Sequence, residues 1–147
     1  NVRWYAEFNV FADPCALDTV LKSGIELVMI PKELGEKSYF NEDLLDLIGK
    51  TNQTGENIIK MFKGYKMKHS KTNDITNHDL CAIAYAVYEN IFTVKRADVT
   101  VNLTPKRWGQ TKAKFNPSGK VKVCISENNK AQLFYFAITK IKQAEIN

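Results

Sequence analysis

The chain has 147 residues, 44% of them apolar and 25% charged, with no apolar run near the roughly 20 residues that a membrane-spanning helix needs. At this size a fold hides roughly 70% of the surface its unfolded form exposes, so a core can form without disulfides or structural metal, and one soluble globular domain is expected. The 21 Lys and Arg against 16 Asp and Glu leave a net charge of +5, too modest and too uneven to name a partner class by itself.

The first nine residues are apolar and aromatic except for Asn1, Arg3, Glu7 and Asn9. Such a segment reads equally as an exposed strand end or as the start of a helix. Asn1 has no initiator Met before it, and no basic leader or signal-type segment follows, so an upstream stretch is expected. Next, Asp13 and Pro14 followed by Ala16, Leu17, Val20 and Leu21 predict a helix with Asp13 as N-cap and Gly24 as its stop. An apolar strand over 25–30 ends at Pro31. Helix, glycine and a nearly all-apolar strand are the grammar of an α/β fold whose sheet is covered on both faces.

Asn41 caps a short predicted helix reaching Ile48, and Thr54 opens a longer one with Ile58, Ile59, Phe62 and Tyr65 on one side. Residues 66–77 are polar and aperiodic, which predicts a long loop, with His69 a solvated imidazole. Helical spacing resumes at His78, where Leu80, Ile83, Ala84 and Val87 predict the buried stripe and Tyr88 widens it. Strands follow over 92–103, 110–115 and 121–125, and a closing helix starts near Asn128 with Ala131, Phe134, Ala137, Ile138 and Ile141 facing inward.

Lys106, Arg107, Lys112, Lys114, Lys120 and Lys122 fall in one stretch with Trp108 and Phe115 and no acid. Basic residues with stacking aromatics mark single-strand nucleic-acid surfaces. Yet Lys112 and Lys114 alternate with Ala113 and Phe115 as in a half-buried strand, so the stretch reads as a solvated hairpin face and no nucleic-acid partner is expected. The cysteines, Cys15, Cys81 and Cys124, are widely spaced and form no C-x-x-C pair; they read as buried structural thiols in a reducing compartment.

Two constellations can carry chemistry. His78 and Asp79 begin a helix directly after the polar stretch, where the pair can serve as proton donor and metal ligand; the plainer reading is a capping Asp beside a surface His. Glu7 and Asn9, with Asn1 upstream, can converge on several hydroxyls of a sugar with Phe8 against its ring.

The pattern N-x-x-x-x-A-E-F-N, then D-P, then S-G before an apolar strand, and far downstream H-D-L-C-A-I-A before an F-T strand, resembles the C-terminal half of the nucleoside hydrolases. The likeness points to the inosine-uridine-preferring and non-specific bacterial ribonucleoside hydrolases. It implies a mostly parallel sheet flanked by helices, with a β-hairpin near the C-terminus and the site at the carboxyl ends of the strands. The implied activity is calcium-dependent hydrolysis of the N-glycosidic bond of ribonucleosides in the cytoplasm, giving ribose and free base. By the same resemblance His78 matches the proton donor to the base, Asp79 a calcium-binding carboxylate, Asn1, Glu7 and Asn9 the ribose hydroxyl ligands, and Phe8 the aromatic lining the ribose pocket.

Three departures stand out. Arg3-Trp4-Tyr5 replaces the small and Pro-containing residues usual before A-E-F-N, and Pro31-Lys-Glu-Leu-Gly35 replaces the usual G-L-D-V-T. The family's Asp-rich D-x-D-x-x-x-D-D segment has no counterpart in the chain. One carboxylate cannot hold calcium usefully, so the chain alone is expected to be inactive, with Ca2+ bound only alongside the missing N-terminal half. That half, or a second copy of the chain, is the expected protein partner. The alternative is a non-catalytic remnant that binds nucleosides or a protein.

Overall fold

The computed structural model describes residues 2–69 and 75–144. They fall into two compact units: one comprises residues 2–32 and 93–126, the other residues 33–69, 75–92 and 127–144.

The first unit is built on a sheet. Helix α1, Phe8–Ala12, leads through Asp13 into α2, Pro14–Lys22. Asp13 accepts a hydrogen bond from the Ala16 amide at 2.9 Å, and Pro14 occupies the first turn, where its missing N–H costs nothing. Gly24, at φ +81°, turns the chain as expected. Strand β1 is only Leu27–Met29, shorter than the expected 25–30, and Ile25 is exposed before it. Strands β4, Phe92–Val101, β5, Thr111–Phe115, and β6, Val121–Glu127, complete a sheet of order β1-β6-β4-β5.

β1 runs parallel to β6, with Val28 opposite Lys122, and β4 pairs antiparallel with β5, with Val99 opposite Ala113. Ala97, Val121 and Val123 are buried and pack with Leu21, Leu27, Met29, Val99 and Ile125. The mixed α/β architecture and the late hairpin agree with the expected fold. The alternation expected in β5 does not appear: all five of its residues are exposed, because β5 ends the sheet and neither of its faces is covered among the described residues. The aromatics of the basic stretch separate too. Trp108 is half-buried and donates Nε1–H to the Phe11 carbonyl at 3.1 Å, while Phe115 is exposed.

The second unit is helical. It contains α3, Lys32–Lys37, α4, Glu42–Gly49, α5, Gln53–His69, α6, His78–Val87, and α7, Lys130–Gln143, with a two-stranded ribbon of β2, Tyr39–Phe40, and β3, Ile75–Thr76. Asn41 caps α4 as expected, accepting from the Leu44 amide at 3.0 Å. The buried centre is Phe40, Ile48 and Ala137, surrounded by Leu44, Leu45, Ile58, Ile59, Phe62, Leu80, Phe134, Ile138 and Ile141.

Four expectations are corrected here. The stretch 66–77 is not all loop: α5 continues to His69 and β3 forms at Ile75–Thr76, since Lys and Met are good helix formers even without an apolar stripe. In α6 the buried line is Cys81 and Ala84, three apart, while Ile83 and Val87 lie on the exposed side. In α7 Leu133 and Phe136 join Ala137 in the interior and Ala131 is exposed. Among the thiols, Cys81 and Cys124 are buried but Cys15, on α2, is exposed.

Candidate functional site

The expected site residues divide between the two units. In the first, Arg3 and Ala6 close a tight turn through mutual backbone hydrogen bonds of 3.5 and 3.2 Å, with buried Ala6 as its anchor. Trp4 and Tyr5 form the tip, edge to face at 5.4 Å, and the Arg107 guanidinium lies 4.9 Å from the Trp4 ring and 5.2 Å from that of Tyr5. Cation–π contacts of this kind give the unusual Arg3-Trp4-Tyr5 sequence a local role: they fasten the turn that delivers Glu7.

Glu7 is the N-cap of α1, which settles the opening segment as a helix start. Its Oε2 accepts from the Asn9 amide at 2.9 Å and the Val10 amide at 3.2 Å. Among the described residues no donor meets its second carboxylate oxygen. Phe8 is 65% exposed and Asn9 is exposed, so both can meet a ligand. Asn1 lies outside the described residues.

In the second unit, His78 and Asp79 are the first two residues of α6. Asn77 is the N-cap, although its side chain makes no cap bond and instead donates to the Ile75 carbonyl at 3.1 Å. Asp79 is therefore not the cap. It is an exposed carboxylate in the first turn, where the helix dipole favours negative charge. His78 is half-buried, and its Nδ1 is enclosed without a hydrogen-bond partner. The ring rests on α3 at Gly35, where an added β-carbon would meet the His78 Nδ1 and would lie 2.8 Å from its Cα. Thus the departure at 31–35 sits directly behind His78.

Beside this seat, the fully buried Ser38 donates to the Leu34 carbonyl at 3.2 Å and to the carboxylate of Glu127. Cys81, one turn into α6, donates to the Asn77 carbonyl at 3.4 Å. Burial pushes the Cys81 thiol up; a hydrogen bond with Ser38 opposes this and the Glu127 charge adds to it. Nothing in the sequence singled out Ser38 or Glu127, whose relation depends on tertiary packing; Gly35 was marked only as a departure.

Among the described residues, no three His, Cys, Asp or Glu side chains cluster as a metal site would require. Asp79 alone does not fit the roughly six to eight oxygens that calcium takes. A separate groove of about 440 Å³ in the first unit is lined by residues including Asp18, Lys22, Asn102 and Gln110 and by none of the expected site residues.

A family model described as inosine-uridine preferring nucleoside hydrolase matches residues 1–136. The chain belongs to that family. The match takes in the Glu7 block and the His78 block together. Among curated nucleoside hydrolases the chain is similar to the non-specific ribonucleoside hydrolase RihC of Escherichia coli strain K12, at 38% identity over 96 residues, which cover 65% of this chain and 31% of that protein. Its fold is that of a plant nucleoside hydrolase, the PpNRh1 enzyme, with a TM-score of 0.83 at 20% identity over 98% of this chain and 50% of the other. A purine-preferring ribonucleoside hydrolase from Gardnerella vaginalis gives a TM-score of 0.82 at 22% identity, over 98% of this chain and 49% of that one. The chain thus spans about half the length of these solved nucleoside hydrolases.

Proposed function

We propose that this chain forms the sugar-binding and proton-donating part of a nucleoside N-ribohydrolase, which splits ribonucleosides into ribose and free base for salvage. The family match over residues 1–136, which contains both polar blocks, carries the reading. Glu7, Asn9 and Asn1 hold the ribose hydroxyls, and Phe8 packs against the sugar. As the base departs, the sugar gains oxocarbenium character and the base gains electrons; His78 supplies the proton that neutralises it. The Glu7 oxygen that no described donor meets, and the exposure of Phe8 and Asn9, support these roles.

Asp79 is one calcium ligand in this reading, and the others come from an Asp-rich segment outside the chain. The chain by itself is inactive and acts as a fragment of a complete hydrolase. The lone carboxylate at the start of α6 supports this, since no cluster of ligands joins it among the described residues. A protein partner, the other half of the enzyme or a second copy, covers surfaces now open. The fully exposed β5 in one unit and the exposed Ile83 and Val87 in the other support that expectation. The setting is cytoplasmic, in keeping with three cysteines that form no disulfide.

The test is release of reducing sugar from inosine or uridine. The chain joined to an Asp-rich N-terminal half is expected to show both the release and its calcium dependence, with His78→Ala and Asp79→Ala each abolishing the release, while the chain alone gives none. Turnover by the isolated chain overturns the fragment reading. Ribose binding without turnover in the joined protein, indifferent to calcium, supports the non-catalytic alternative instead.

A further inference from the structure

We propose that Gly35 is a positioning residue for His78, seating the imidazole so that Nδ1 is bare and buried and the ring proton is held on Nε2. The proposal rests on the reading of His78 as proton donor but is tested apart from it. Three observations carry it. First, position 35 has no room for a side chain: a β-carbon would meet Nδ1 and lie 2.8 Å from the His78 Cα, which is backbone and cannot swing aside. Second, Gly35 is itself buried, and its carbonyl accepts from the Ser38 amide at 3.1 Å, so the floor beneath the ring is fixed. Third, Nδ1 is enclosed with no hydrogen-bond partner among the described residues, although His78 as a whole is only half-buried. The buried nitrogen that lacks a partner is thus Nδ1 and not Nε2.

A neutral imidazole carries one proton and places it on either nitrogen. With the proton on Nδ1, a buried N–H would lack an acceptor, an arrangement rare in folded proteins; a bare buried nitrogen is the lesser loss. Nε2–H, by contrast, can donate to water or to a bound molecule. The glycine thus selects the tautomer, and the outward nitrogen already holds the proton that a departing base would take.

The α3 seat is tied down from behind by Ser38, which bonds both Leu34 and Glu127, and Cys81 of α6 lies against Ser38. Loss of the seat would free the ring without removing any group that touches substrate.

The experiment is nitrogen-15 NMR of the ring nitrogens in the full chain at about pH 8. The chain has two histidines, so His78→Gln assigns the signals. One ring is expected to show Nδ1 unprotonated and Nε2 protonated, and that pattern is expected to vanish in His78→Gln. In Gly35→Ala the pattern is expected to move toward exchange between the two tautomers. A wild-type His78 averaged over both forms, or protonated on Nδ1, overturns the proposal. So does a folded Gly35→Ala protein with an unchanged pattern; should that variant not fold, the wild-type spectrum decides alone. Loss of turnover in His78→Ala bears on the function and not on the tautomer, so the two readings can fail separately.

Discussion

Ser38 donates its hydroxyl to the carboxylate of Glu127, 89 residues further along the chain, and so joins the end of α3 to the end of β6. The Glu127 side chain is only 9% exposed, and its other charged neighbour, Lys130, stands 3.7 Å away. Ser38→Ala removes one of the few partners of a buried carboxylate. A loss of about 1–3 kcal/mol is expected, read as a lower urea midpoint at unchanged slope.

Helix capping gives a graded expectation. Asp13 and Asn41 each accept an amide of the first turn, so Asp13→Ala and Asn41→Ala should each cost about 1 kcal/mol in urea unfolding. The Asn77 side chain makes no such bond, and Asn77→Ala should cost less than either.

Two glycines predict opposite signs. A β-carbon at Gly119 would lie 2.5 Å from the Ala97 nitrogen and 2.6 Å from its Cα, so Gly119→Ala must push one backbone segment off another. A loss of about 2 kcal/mol or more is expected. Gly64, inside α5, has nothing within 4 Å of the same position. Gly64→Ala should stabilise by roughly 0.5–1 kcal/mol, because alanine restricts the unfolded chain and favours helix. Thermal midpoints of the two variants, one falling and one rising, check the pair.

The thiols differ in access and in proton affinity. Cys15 is exposed while Cys81 and Cys124 are buried, so native protein should react quickly at one thiol with an aromatic disulfide reagent and at all three once unfolded. Burial raises the Cys81 thiol in the folded state above its ordinary value of 9.0. The unfolded state therefore loses that proton first as pH rises, and the stability linked to it is whole below the unfolded value and falls away above it. Between about pH 8 and pH 10 the urea midpoint of the wild type should drop more steeply than that of Cys81→Ala. Parallel pH curves would contradict this.

Much of the fold was legible because local chemistry decided it. Asp13 with Pro14, Asn41 before its acidic turn, and Gly24 after Lys22 mark their helix ends whatever packs around them. Burial was harder to read. Ile83 and Val87 look like core positions by composition, but the face α6 turns inward carries Cys81 and Ala84. The strand 111–115 alternates as though one face were covered, and among the described residues neither face is. At the candidate site, the motifs singled out Glu7 and His78, but not the pairings that hold them. Arg107 over Trp4, Gly35 under His78, and Ser38 against Glu127 join residues distant in sequence, and no local pattern records such pairs.

The hairpin edge carries one more consequence. β5 leaves a row of backbone donors and acceptors open at the end of its sheet, the geometry that invites strand-to-strand growth between molecules. Lys112 and Lys114 lie on that strand, so two molecules approaching edge to edge bring like charges together. Salt weakens this repulsion. Preparations kept dilute in electrolyte should stay dispersed, and raising the ionic strength should promote fibrous or turbid material through the same edge.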